Sequence, residues 1–365
     1  MDSVWAVRLP VSAGTGPRLA VKDCIDVAGV PTVVGSRALA SAPPALADAP
    51  VVATARAAGA RIVGKTQLVE LCRHADGVNH WAGTPANPLD SSRLPGGSSS
   101  GSAVVVALGE ADVAYGTDTG GSVRVPAACC GVVGLKTTAG RVPTQGVFEF
   151  SRTLDTVGPM GRTVADVALG MSLMEPGFVV APVNAPLTAA RLRLPGVEPG
   201  IDAAVDRALS AAGFTTTDVE LPSWSDWNSA ADTLMAWEGY FAMSSFLQQP
   251  DLLEDRHVAS IEYGATIPAS RVTEIRRLQL QARRVLDDLL ATHTVLALPT
   301  LAVEPPKVAE RAGLTYLTVA LNFTGHPALA LPIPRSDSHL PASLQLVGPH
   351  FSEELLLSLG ALAEQ

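Results

Sequence analysis

The stretch Pro95-Gly96-Gly97-Ser98-Ser99-Ser100-Gly101-Ser102-Ala103 decides how the rest of the chain is read. Glycine and serine fill every position from 96 to 102, and the apolar run Val104-Val105-Val106-Ala107-Leu108 follows at once. Such a run is a flexible linker, because Gly and Ser bury little and cost much entropy to order, or a tight loop feeding a helix, with N–H groups and hydroxyls aimed at one spot. A linker has polar flanks and a change of composition across it. Here the downstream flank is core-like, and a second such segment follows at Gly116-Thr117-Asp118-Thr119-Gly120-Gly121-Ser122. The functional-loop reading is the better one, with a helix over about 102–108.

Outward from that loop, composition bounds the answer. The chain has 365 residues, 47% of them hydrophobic and 17% charged, enough to bury a large core. The net charge of −9 comes with no basic cluster, which excludes nucleic acid as a natural partner. Cys24, Cys72, Cys129 and Cys130 lack metal spacing and read as buried free thiols, which fits a reducing, cytoplasmic setting. The acid-bearing N-terminus Met1-Asp2-Ser3-Val4-Trp5 lacks the basic and apolar regions of a signal peptide. Apolar runs end well before ~18 residues, so no membrane span is expected.

Strands and helices alternate. Residues 18–27, 60–65, 112–118 and 132–136 read as strands, as do 214–221, 295–299, 328–332 and 343–348. Helices are expected near 51–57, 67–72, 102–108, 202–212, 230–248, 268–292 and 352–362, and one begins at Thr163 as its cap. Residues 174–194 show no clear periodicity. The arginines Arg271, Arg276, Arg277, Arg283 and Arg284 read as a solvated helix face. This alternation predicts an α/β layer architecture.

Hydrolytic chemistry without a metal needs a nucleophile, a base and oxyanion donors. No histidine lies in either Gly/Ser loop, which leaves Lys22, at a strand end among Leu19, Ala20, Val21 and Ile25, as the candidate base. A lysine serves as a base only in its neutral form. A surface strand lysine is the bland alternative.

Lys22, the run 96–103 and the run Gly116 to Pro126 together resemble the amidase signature family. Cys130-Gly131-Val132-Val133-Gly134-Leu135-Lys136-Thr137 and Leu154-Asp155-Thr156-Val157-Gly158-Pro159 match as well. The match is specific over about residues 18–167 and weaker over 295–362. The resemblance implies a central mixed β-sheet with α-helices on both faces. It implies one domain over 1–365, with a signature core at about 18–170, a variable substrate-side segment at 171–293 and a completing segment at 294–365. It further implies a Ser–cis-Ser–Lys triad, with Ser122 as nucleophile and acyl carrier. Ser98, on a cis Gly97–Ser98 bond, would relay the proton, and Lys22 would be base and then proton donor. Thr119, Gly120 and Gly121 would line the oxyanion hole. Ser99 either joins the triad network or satisfies its loop. Asp118 and Arg124 read as loop-fixing partners and Lys136 as structural.

Departures from the family pattern are local. Only 21 residues precede Lys22, which leaves the assembly open, a homodimer included. Ser100 stands where Gly is common, and the loop variant is similar to that of indole-3-acetamide hydrolase and allophanate hydrolase-type amidases. Thr137 stands where Pro is common. Trp81, Phe148 and Phe150 fit an aromatic acyl pocket or simply the core. His74 and His80 lack a third ligand at metal spacing, so loop polarity explains them better and no cofactor is expected. The expected activity is hydrolysis of a small-molecule carboxamide to a carboxylate and ammonia or amine. An ammonia-generating amidotransferase subunit, an acyltransferase using the same acyl-enzyme and a non-catalytic scaffold are the alternatives.

Overall fold

The apolar segments become eleven strands of one sheet in a computed structural model, which describes residues 4–10, 14–180, 182–183, 186–310 and 313–364. Met1–Ser3 of the acid-bearing N-terminus lie outside the described residues. The strands are β1 (Trp5–Arg8), β2 (Arg18–Lys22), β3 (Arg61–Thr66), β4 (Val113–Asp118), β5 (Val133–Lys136), β6 (Thr156–Gly161), β7 (Thr188–Leu192), β8 (Thr215–Val219), β9 (Val295–Pro299), β10 (Ala328–Ile333) and β11 (Ala342–Val347). Their order is β1-β3-β2-β4-β6-β5-β10-β11-β9-β7-β8. β2 runs parallel to β3 and β4, and β7 parallel to β8 and β9, while the six other pairings are antiparallel. The sheet is therefore mixed, as expected.

Among the described residues, ten α-helices cover it: α1 (Pro50–Ala57), α2 (Ser100–Ala107), α3 (Arg124–Cys130), α4 (Val164–Met174), α5 (Pro199–Ala211), α6 (Trp224–Met243), α7 (Asp255–Ala265), α8 (Ala269–Leu290), α9 (Val319–Thr324) and α10 (Glu353–Ala363). Strand side chains alternate between the two faces. Leu19 and Val21 of β2 join one core with residues of α1, α4, α5 and α10. Ala20, between them, joins another with α2 and α3. On β9, Val295 and Ala297 face the first core, and Leu296 and Leu298 face a third built on α6, α8 and α9. With both faces covered, the middle strands β4, β5, β6 and β11 are buried at every position rather than alternating between core and solvent.

Several elements differ from expectation. Residues 67–72 do not form an α-helix; only a 3₁₀ turn spans Glu70–Cys72, with Leu71 at φ 50°. The backbone there is engaged across loops: Val69 N–H donates to Ser98 C=O, Leu71 N–H to Val34 C=O, and Leu68 C=O accepts from Asn79. α3 was hidden by Pro126, which sits within its first turn, where proline is tolerated. β6 was hidden by Gly158 and Pro159. A Cβ at Gly158 would stand 1.9 Å from Leu135 O, so only glycine fits. The pairing of β5 with β6 stops at Gly134↔Met160, so the missing N–H of Pro159 costs no ladder bond there. α7 and β7 were also unread. Thr163 caps α4 as predicted, in a capping box with Asp166.

Candidate active site

Period two puts Lys22, the last residue of β2, on the same face as Ala20, toward α2 and α3. Its side chain is fully buried, and Nζ donates to Ser98 Oγ at 2.7 Å and to Thr117 Oγ1 at 2.8 Å. Thr117 sits at the end of β4, the parallel neighbour of β2 through Val21↔Tyr115. Both polar groups therefore emerge at the carboxyl ends of adjacent parallel strands, where open α/β sheets place their sites.

Ser98 follows a cis peptide bond from Gly97. A Cβ at Gly97 would lie 2.8 Å from both Gly77 N and Val69 Cγ2, so the loop closes only with glycine there. The two Gly/Ser loops are stitched together by Ser99 N–H donating to Ser122 C=O at 3.2 Å. Ser99 Oγ bonds the backbone of Thr117, as donor to O at 3.2 Å and acceptor from N at 3.4 Å. The hydroxyl thus satisfies its loop and strand and does not reach Lys22.

Asp118 shapes the second loop. Its buried carboxylate accepts from the N–H groups of Gly121 (2.8 Å) and Val123 (3.1 Å), from Asn322 Nδ2 (2.8 Å), and from Arg124 Nε and Nη2 (3.0 and 2.8 Å). Burial alone would raise the Asp118 carboxyl, but the Arg124 guanidinium, helped by Lys136 and Asn322, holds it well below the usual range. Arg124 is in turn held by Asn322 Oδ1, Gln345 Oε1 and Thr318 C=O. Asp118 and Arg124 are loop-fixing, as read. Gly121 takes φ 135°, and a Cβ there would meet Thr318 Oγ1 at 2.3 Å. Its N–H is committed to Asp118, so Gly121 shapes the turn. Among the described residues, the N–H groups of Thr119, Gly120 and Ser122 donate to no protein acceptor.

Ser122, Thr119 and Gly120 line one cavity of about 420 Å³, with Phe150, Arg73 and residues of α6 and α7. Thr119 Oγ1 donates to Asp155 Oδ1 at 2.6 Å, and the Phe150 and Ser151 N–H groups donate to Oδ2. Burial raises the Asp155 carboxyl to about 6 against these donors.

Two aromatic assignments need correcting. Trp81 is 45% exposed and borders a separate hollow beside Arg37 and Leu252. Asn79 Oδ1 accepts from its N–H and turns the loop outward. Phe148 packs on Phe246, ring centroids 6.3 Å apart, in the large core. Phe150, two residues on, lines the cavity, as does Tyr263 of α7.

Of the remaining candidates, Cys72 and His74 also line the cavity, while Lys136, His80 and the other cysteines do not. Lys136 donates to the Thr137 and His326 carbonyls, and burial lowers it to about 7. The four cysteines are buried free thiols. Among the described residues, two groups of donors lie close enough to share an ion: Glu70, Glu254 and His257, and Asp287, His326 and His350. Neither contains His74 or His80. Sequence reasoning gave no role to Thr117, although it lies within the run Gly116 to Pro126, nor to Arg73 beside Cys72, and it missed Asn322 and Gln345, which no spacing or motif marks.

A family model described as Amidase matches residues 15–177 and 189–357. The chain is 35% identical to a glutamyl-tRNA(Gln) amidotransferase subunit of Halobacterium salinarum, over 96% of this chain and 95% of that one. It is 34% identical to 2-amino-5-chloromuconic acid deaminase of Comamonas testosteroni, over 94% and 80%. It superposes on the allophanate hydrolase of Kluyveromyces lactis with TM-score 0.87 at 26% identity, covering 95% of this chain and 61% of that one.

Proposed function

Since the chain belongs to the amidase family, an enzyme family acting on C–N bonds, we propose that it hydrolyses a small carboxamide through an acyl-enzyme on Ser122. The observation that carries this reading is the buried Lys22 amine bonded to Ser98, in a loop stitched by its backbone to Ser122 at the cavity wall. Ser122 Oγ attacks the amide carbonyl, and its proton passes through Ser98 to neutral Lys22. The oxygen of the tetrahedral intermediate is received by the N–H groups of Thr119, Gly120 and Ser122, an arrangement in which one donor contributes about 3–4 kcal/mol to the transition state. The C–N bond breaks as the proton returns through Ser98 to the leaving nitrogen. Water then attacks the ester along the same relay and releases the carboxylate. We read these parts as one domain, a reading supported by a family match on both sides of a gap at 178–188.

A second reading is favoured by the similarity along nearly the whole of both chains to an amidotransferase subunit. In it, the same acyl-enzyme delivers ammonia to a partner protein. Isolation from the native source separates the two: copurification with a stoichiometric second protein supports the amidotransferase assembly, and an active chain alone supports the hydrolase.

The acyl-enzyme itself is tested with an alkyl fluorophosphonate followed by peptide mapping, and with ammonia release from an amide panel. Label on Ser122 is expected, with loss of label and turnover in Ser122→Ala. Lys22→Ala is expected to slow acylation by about 10²–10⁴-fold, the usual worth of a general base. Label elsewhere, or wild-type rates in Lys22→Ala, overturns the assignment.

A further inference from the structure

Arg73 lines the same cavity as Ser122, and its charge has no counter-ion. It follows the 3₁₀ turn Glu70–Cys72. Its Nη2 donates to the Ser260 carbonyl at 3.2 Å and to the Ser260 hydroxyl, both on α7. The guanidinium carbon lies over the Phe150 ring, 5.1 Å from its centroid. Nε and Nη1 are shut off from water and have no acceptor. Gly239 of α6 leaves the room for this group, since a Cβ there would come within 3.0 Å of Nη1.

The anions nearby are engaged or out of ion-pair reach. Asp76 is paired with Arg256 at 2.5 Å and Asp155 with Thr119, while Asp232 of α6 lines the same cavity, exposed, and makes no ion pair with Arg73. Among the described residues no carboxylate lies within ion-pair distance of Arg73, whereas the buried Arg124 and Arg191 each meet one or more. Burial lowers Arg73 to about 10 with no opposing influence, so it stays charged at neutral pH. A desolvated cation without a partner is costly in a closed fold. In a ligand cavity it is a subsite for an anion, and the planar guanidinium is matched to carboxylate.

We propose that Arg73 anchors a carboxylate on the substrate, so that this enzyme acts on amides that also carry an acid group. The inference rests on the amide-hydrolase reading above. It names the substrate class and the residue that selects it. The acid sits on the acyl portion, as in an ω-carboxy primary amide, or on the leaving amine, as in an N-acyl amino acid.

Ammonia or amine release is measured from malonamate, succinamate and glutaramate, from N-butyrylglycine, and from their neutral counterparts propionamide, butyramide, valeramide and N-ethylbutyramide. At least one acid should exceed its neutral counterpart at least ten-fold in kcat/KM, and the reacting series shows which side carries the acid. Arg73→Met should reduce that preference at least ten-fold, chiefly through KM, and Arg73→Lys should restore part of it. Binding of succinamate, glutaramate and N-butyrylglycine to Ser122→Ala, by calorimetry, should weaken at least ten-fold when Arg73→Met is added. No preference for the acids in the wild type overturns the inference, as does an unchanged preference in Arg73→Met; the wild-type comparison decides if that variant does not fold. Neutral amides cleaved without acid preference leave the hydrolase reading standing alone. Arg73-dependent acid binding with no product from any amide leaves the subsite standing and removes the hydrolase.

Discussion

At the residue scale, the site depends on where Lys22 sends its protons. Nζ stands 2.7 Å from the Ser98 hydroxyl and 2.8 Å from the Thr117 hydroxyl. Thr117 therefore aims the amine at Ser98 without touching substrate and acts as a positioning residue. Thr117→Val keeps the shape and deletes the acceptor. A hydrogen bond is worth about 0.5–1.5 kcal/mol, so kcat should fall roughly two- to ten-fold with KM little changed. Thr117→Ser should recover most of the rate. Loss confined to KM, or no rescue by Ser, contradicts the positioning role.

At the element scale, the turn between β4 and α3 is set by two carboxylates whose titrations run in opposite directions. Asp118 is held below its unfolded value, so its contribution to stability is complete above about pH 4 and is lost as pH falls toward its folded value. Asp155, raised to about 6, behaves in reverse: ionising it opposes the fold, so stability tied to it grows as pH falls from 7 toward 4. Melting temperatures across pH 4–8 should therefore show the wild type gaining on Asp155→Asn as pH drops. Asp118→Asn should be destabilised at neutral pH by about 3–5 kcal/mol, because Arg124 is left buried and unpaired. A wild-type gain on Asp155→Asn as pH rises would contradict the sign for Asp155.

At the scale of the whole molecule, the signature core is completed by distant chain. Arg124 is clamped by Asn322 and Gln345, and β5, inside the core, pairs with β10. Gln345→Ala should cost about 1–3 kcal/mol by leaving Arg124 Nη1 with one acceptor fewer. Residues 1–293 expressed alone should be protease-sensitive, because β5 loses its β10 partner at mid-sheet. A stable, cooperatively melting fragment would contradict the single-domain reading. Among the described residues, no helix is long and apolar enough to cross a membrane.

The sequence by itself determined the α/β class, the two Gly/Ser loops and the candidacy of Lys22, Ser98 and Ser122, because alternating apolar segments and runs of small residues are written in the chain itself, although the neighbours that demand glycine at 97 and 121 are distant in sequence. The tertiary structure decided what local pattern cannot carry. Trp81 and Phe148 look alike as sequence aromatics, yet one is turned to solvent and the other into the core, while Phe150 meets the cavity. Residues 67–72 had helical spacing, but their N–H groups found partners in other loops. The clamp on Arg124 and the unpaired charge of Arg73 are facts of three-dimensional neighbourhood. The acceptors that satisfy a buried guanidinium come from residues up to 221 positions away, and no spacing in the chain records that.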